Sequence, residues 1–63
     1  MRLTTLQIIY LRWLAEGHSV SNIARIEGLS HHEVIKQLKM AKQVLAVRSV
    51  GEAVSEARML HMI

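Results

Sequence analysis

Between Ser30 and Ala46 the apolar and polar residues sort onto opposite sides of a helix. Advanced by about 100° per residue, Val34, Leu38, Ala41 and Leu45 fall within about 60° of one another. His32, Lys36, Lys39 and Gln43 gather within about 60° on the opposite side, with no carboxylate among them. The pattern predicts a helix with one face for a core and one for solvent or a polyanion. Ahead of it, Ser19 to Gly28 reads as a shorter helix and a turn.

The flanking segments are also periodic, each in its own way. In the first, Leu3, Tyr10, Leu11 and Leu14 form a core stripe with Gln7 on the same side. Leu6, Ile9 and Trp13 make a second stripe beside it, Ile8 adds apolar surface, and only Thr5, Arg12 and Glu16 remain clearly polar. A helix apolar over so much of its circumference is covered on more than one side, either by the rest of this chain or by another chain. In the last segment Val50, Ala53, Val54, Ala57 and Leu60 share a stripe that closes the core. Met59, Met62 and Ile63 then have little left to bury against, and are either frayed or a small docking surface.

Each helix has a start signal. A hydroxyl residue is followed three positions later by a possible back-bonding partner: Thr4 with Gln7, Ser19 with Asn22, Ser30 with Glu33, Ser49 with Glu52. The hydroxyl accepts from an orphan N–H of the first turn, and Gln or Glu can return a bond to the cap's own N–H. Gly17 and Gly28 suit the left-handed position past the first two helices, while Ala46 fits the same role after the third less comfortably. The predicted helices are about 5–16, 20–27, 31–45 and 50–61, in one all-α domain spanning residues 1–63.

Composition narrows the chemistry. Cysteine, proline and aspartate are absent and glycine occurs three times, which suits a nearly all-helical chain without disulfides or zinc–thiolate sites. The net charge is +3, a modest excess whose placement matters more than its size. Lys36, Lys39, Lys42 and Arg48 lie in a stretch, Val34 to Gly51, without a single acid; all five glutamates lie outside it. Taken alone, these charges fit a solvated face as well as a polyanion site. His31 and His32 point about 100° apart on a helix and His18 and His61 lie elsewhere, so no metal site is expected. Nothing suggests an enzyme or a cofactor. The apolar runs are too short for a membrane span and no leader pattern appears, so a cytoplasmic protein is expected.

Along nearly its whole length the chain resembles the LuxR/GerE-type helix-turn-helix domain of bacterial transcription regulators. The resemblance rests on Leu3–Thr4, the LAEG of Leu14 to Gly17, Ser19, Ile23–Ala24, the GLS of Gly28 to Ser30, Val34, Leu38, the LAVRS of Leu45 to Ser49, and the EAV of Glu52 to Val54. The first three helices alone also resemble sigma-factor region 4; the VRS…EAV tail favours the LuxR/GerE type. The resemblance implies a four-helix fold, a third helix in the major groove of duplex DNA, and a homodimer through the fourth.

Carried over by position, the groove-facing residues are Ile35, Lys36 and Lys39; the face count adds His32 and Gln43, and Lys42 and Arg48 approach phosphates. N–H groups at the starts of the second and third helices can also meet phosphate. The chain departs from the family where Thr-Val-Lys is usual and Glu33-Val34-Ile35 stands instead. Glu33 is explained as the capping-box acid of Ser30. Ile35 either touches a thymine methyl or marks a surface no longer used for DNA. The first helix is apolar where the family tends to be charged, at Leu6, Ile8 and Ile9. Hence a second expectation stands beside sequence-specific transcription regulation: a small anti-activator or modulator that pairs with a larger LuxR-type regulator. Its apolar first and fourth helices would make the contact, through Leu6, Ile9, Trp13, Met59, Met62 and Ile63.

Overall fold

The computed structural model describes residues 2–63. They form α1 (Thr5–Ala15), α2 (Val20–Glu27), α3 (His31–Leu45) and α4 (Val50–Met59), with no strand among the described residues. α1 and α3 each pack against the other three helices, whereas α2 and α4 do not pack on one another. The core is built from Leu3, Tyr10, Leu11, Ile23, Ala24, Val34, Leu38, Ala41, Ala53 and Ala57. The fourth helix thus contributes alanines, whose small side chains let it approach α1 and α3 closely. Among the described residues, no helix is long and apolar enough to cross a membrane.

All four expected caps start their helices. Thr4, Ser19, Ser30 and Ser49 accept from the backbone N–H groups of Gln7, Asn22, Glu33 and Glu52 at 3.0–3.1 Å. The reciprocal bond is rarer than the sequence suggests. At Thr4 its N–H donates to Gln7 Oε1 at 3.0 Å, completing a capping box. At Ser49 the hydroxyl itself donates to Glu52 Oε1 at 3.2 Å, and at Ser30 the Glu33 side chain returns no bond. Glu33 is therefore not the capping-box acid expected of it; its carboxylate stands at an exposed position.

Gln7 is the buried polar residue of the core, 2% exposed. Its oxygen serves the Thr4 cap and its Nε2 donates to Gln37 Oε1 of α3 at 3.2 Å, so one side chain ties the start of α1 to the middle of α3. Burial of an amide is tolerated when its partners are present.

The helices also end alike. Gly17, Gly28, Ala46 and His61 all have positive φ, and the following residue donates back to a carbonyl five positions earlier. These bonds are His18 to Trp13 (3.0 Å), Leu29 to Ala24 (2.9 Å), Val47 to Lys42 (3.1 Å) and Met62 to Ala57 (2.9 Å). This is the Schellman arrangement, which satisfies orphan carbonyls and turns the chain sharply. Ala46 takes the left-handed position despite its Cβ, at φ 56°.

The last turn changes what the apolar end of the chain does. α4 stops at Met59 instead of near residue 61, and His61 at φ 59° reverses the chain. Met62 and Ile63 consequently pack against the core, although the sequence left them without a place to bury. Leu60, counted into the core stripe, is instead 54% exposed, and Met59 is 73% exposed. On α1, Ile8, Ile9 and Trp13 are half-buried against the core, and Leu6 alone of these apolar residues stays at the surface, 37% exposed.

Candidate nucleic-acid interface

The outer face of α3 is held from beneath by Val34, Leu38 and Ala41, all buried. That anchoring fixes the rotation of the helix, and rotation decides what faces outward. His32, Lys36, Lys39 and Gln43 are exposed, and Ile35 and Lys42 are half-buried. His32, Ile35, Lys36, Lys39 and Gln43 line one open hollow of about 200 Å³, joined there by Met40. Five of the seven residues singled out in the sequence are thus brought together on one surface.

A second hollow of about 110 Å³ adjoins the first. Val20, Ile35, Leu38, Lys39, Lys42 and Val50 line it. It exists because α2 and α4 do not pack on each other: the first residues of the two helices stand apart, and α3 floors the gap between them. Ile35 and Lys39 belong to both hollows, so they form the ridge between them. Lys42 faces only the second. Lys42 is half-buried there among apolar side chains, a setting in which a lysine stem covers apolar surface while its ammonium reaches water. Arg48 is exposed in the turn between α3 and α4 and lines neither hollow.

No carboxylate borders either hollow, and two or more lysine positions border each if the ridge is counted with both. Glu33, the acid nearest in sequence, is exposed and lines neither hollow; with Glu27 its charge also acts on Tyr10. Burial desolvates the Tyr10 phenolate, the two carboxylates repel it, and the phenol's pKa is raised above its ordinary 10.0. The Tyr10 hydroxyl has no hydrogen-bond partner among the described residues.

Four lining residues are not among the site residues expected from the sequence: the patterning assigns Leu38 and Val50 to the core and gives Met40 and Val20 no role. Met40 sits at the edge of the polar arc, and its apolar side chain gave no reason to count it there. Val20 opens α2, where a single residue carries no periodicity, and Val50 counts into the core stripe of α4; only tertiary packing places both beside α3.

At the α1–α2 turn, Trp13 packs its ring on His18, with centroids 5.1 Å apart and planes tilted by 44°. The Asn22 amide nitrogen lies 2.9 Å from His18 Nδ1, and Arg25 donates to the Asn22 oxygen. Trp13 is therefore engaged within its own chain on at least one face. No protein-family model, curated protein or solved structure matches this chain.

Proposed function

We propose that this chain is a duplex-DNA-binding module of a transcription regulator, with α3 in the major groove. The observation that carries the reading is the outer face of α3. His32, Lys36, Lys39 and Gln43 stand exposed together, anchored by a buried opposite face, and no acid lines the hollow they share. An α-helix fits the major groove of B-DNA, where lysine can donate to guanine O6 and N7 and glutamine can pair with adenine. Lys42 and Arg48 flank this face at positions suited to phosphate. The resemblance to the LuxR/GerE-type domain supports the same assignment for α3, and adds the expectation of a homodimer through α4.

Titration with mixed-sequence duplex DNA at two salt concentrations tests this reading. Binding that weakens steeply with salt is expected, because each neutralised phosphate releases condensed counterions. Absence of duplex binding even at low salt would sink it.

Met59 and Leu60, 73% and 54% exposed at the end of α4, favour a second chain as an additional partner. A second copy is the occupant that a DNA-bound dimer calls for. A larger LuxR-type regulator is the alternative, and in that case this chain acts by pairing with the regulator. Cooperative binding of the chain alone to paired half-sites favours the second copy; duplex binding without that cooperativity favours the larger regulator.

A further inference from the structure

We propose that Ile35 reads the C5 methyl of a thymine, making this face prefer a thymine at one position of each half-site. The inference rests on the DNA-binding reading above and names what the outer face of α3 selects.

Ile35 is the aliphatic ridge between two lysine-bordered hollows. Ile35 is half-buried: it faces Val20, Leu38 and Val50 across one hollow and shares the other with Lys36, Lys39, Met40 and Gln43. A side chain with no donor or acceptor leaves the polar edge of most bases desolvated and unpaired, which costs affinity. In the major groove only the C5 methyl of a pyrimidine rewards an apolar contact. Thymine and 5-methylcytosine both carry that group.

The neighbours of Ile35 decide between them. Lys36 and Lys39, one and four residues on, share its hollow and are donors with no acceptor. Thymine places its O4 acceptor beside the methyl, whereas 5-methylcytosine places an amino donor there. An aliphatic contact flanked by ammonium groups therefore matches thymine and mismatches 5-methylcytosine. No carboxylate, the side-chain type that pairs best with a cytosine amino group, lines the hollow with Ile35.

The test is made on the DNA, so the wild-type protein carries it. Duplexes are selected from a random pool with the wild-type chain, and each thymine of the selected site is replaced in turn by uracil or 5-methylcytosine. Uracil deletes the methyl and keeps O4; 5-methylcytosine, paired with guanine, keeps the methyl and loses O4. At one position in each half-site uracil is expected to weaken binding about fourfold, the equilibrium weight of one methyl-sized apolar group. There 5-methylcytosine is expected to bind more weakly than thymine. In Ile35→Ala, checked for helix content by circular dichroism, thymine and uracil duplexes are expected to bind alike. In Ile35→Lys the selected base at that position is expected to shift from thymine towards guanine. A wild-type protein indifferent to uracil at every position overturns the assignment. So does a uracil effect that persists unchanged in Ile35→Ala, or 5-methylcytosine that binds as tightly as thymine. Failure to bind any duplex overturns the DNA-binding reading itself, and is distinguished from the other results by the empty selection.

Discussion

Tyr10 and Ala46 hold conformations or environments that their residue types resist. Tyr10 is fully buried with its hydroxyl unpartnered among the described residues, and an unsatisfied buried hydroxyl costs about 1–3 kcal/mol. Tyr10→Phe removes the hydroxyl and keeps the ring, so its urea midpoint is expected to equal or exceed wild type. The gain should reach about 1 kcal/mol at neutral pH. The alkaline limb gives an independent check. Because the folded phenol titrates above its ordinary 10.0, the unfolded chain loses this proton first and binds fewer protons than the folded one. The contribution of Tyr10 is thus complete below pH 10.0 and is lost as pH rises through the folded value. Melts taken across this range should show wild type losing stability relative to Tyr10→Phe. A constant difference between the two proteins would refute the linkage. Ala46 is the second case. Its φ of 56° costs an L-residue about 1–2 kcal/mol, of which a glycine's extra unfolded-state freedom offsets about 0.4–1. Ala46→Gly is expected to stabilise the chain by up to about 1 kcal/mol, read from chemical denaturation.

At the scale of the helices, all four start signals and the stops of the first three were legible in the sequence, and the stop of the fourth was not. A serine or threonine before an apolar-periodic run has a local cause, the orphan N–H groups, and all four positions hold in the structure. Helix ends depend on a left-handed residue; Gly17, Gly28 and Ala46 are expected there from the sequence and take that position, and only His61 gives no such signal. Hence α4 closes earlier than its apolar stripe implies, and Leu60 leaves the core while Met62 and Ile63 enter it. The outer face of α3 was equally legible, because a fixed core stripe determines the opposite side. The second hollow was not, since it arises from a gap between α2 and α4 that no local pattern encodes. This difference gives Lys39 and Lys42 different expected roles. Lys39 stands on the ridge and reaches the first hollow, so Lys39→Ala should cost about 1–3 kcal/mol of specific binding if it donates to a base. Lys42 lies only in the flanking hollow, where a phosphate contact is expected. Lys42→Ala should weaken all sequences alike and lower the salt slope by about one. Mobility shifts with matched and scrambled duplexes at several salt concentrations distinguish the two patterns. Equal losses on both duplexes for Lys39→Ala would make it another phosphate contact.

The whole molecule is small enough that its surface limits how it can assemble. Its accessible surface is 4244 Å², so a standard interface of about 800 Å² per partner would occupy roughly a fifth of it. The apolar residues offered at the end of α4, Met59 and Leu60, are two side chains, and much of the broad apolar arc of α1 is already turned onto the core. Such a patch is too small to hold two copies tightly in free solution, where lost translational and rotational freedom alone costs several kcal/mol, about 4 or more. On DNA the balance differs. Two copies bound at neighbouring half-sites are already close, and a weak contact then acts at high effective concentration. The chain is therefore expected to sediment as a monomer at micromolar concentration, yet to bind paired half-sites cooperatively. Half-sites spaced by about one helical turn, 10–10.5 base pairs, should favour pairing over half a turn more, which puts the second copy on the other side of the duplex. Met59→Gln removes apolar surface at an exposed position without adding charge near the DNA. It should leave affinity for a single half-site unchanged and reduce the cooperativity between two. Undiminished cooperativity in Met59→Gln would place the contact elsewhere, with Leu6 the remaining exposed apolar residue of α1 to test. A stable dimer of the free wild-type chain would show instead that the α1 arc opens outward, and Trp13 emission, shielded on association and recovered on dilution, would report it.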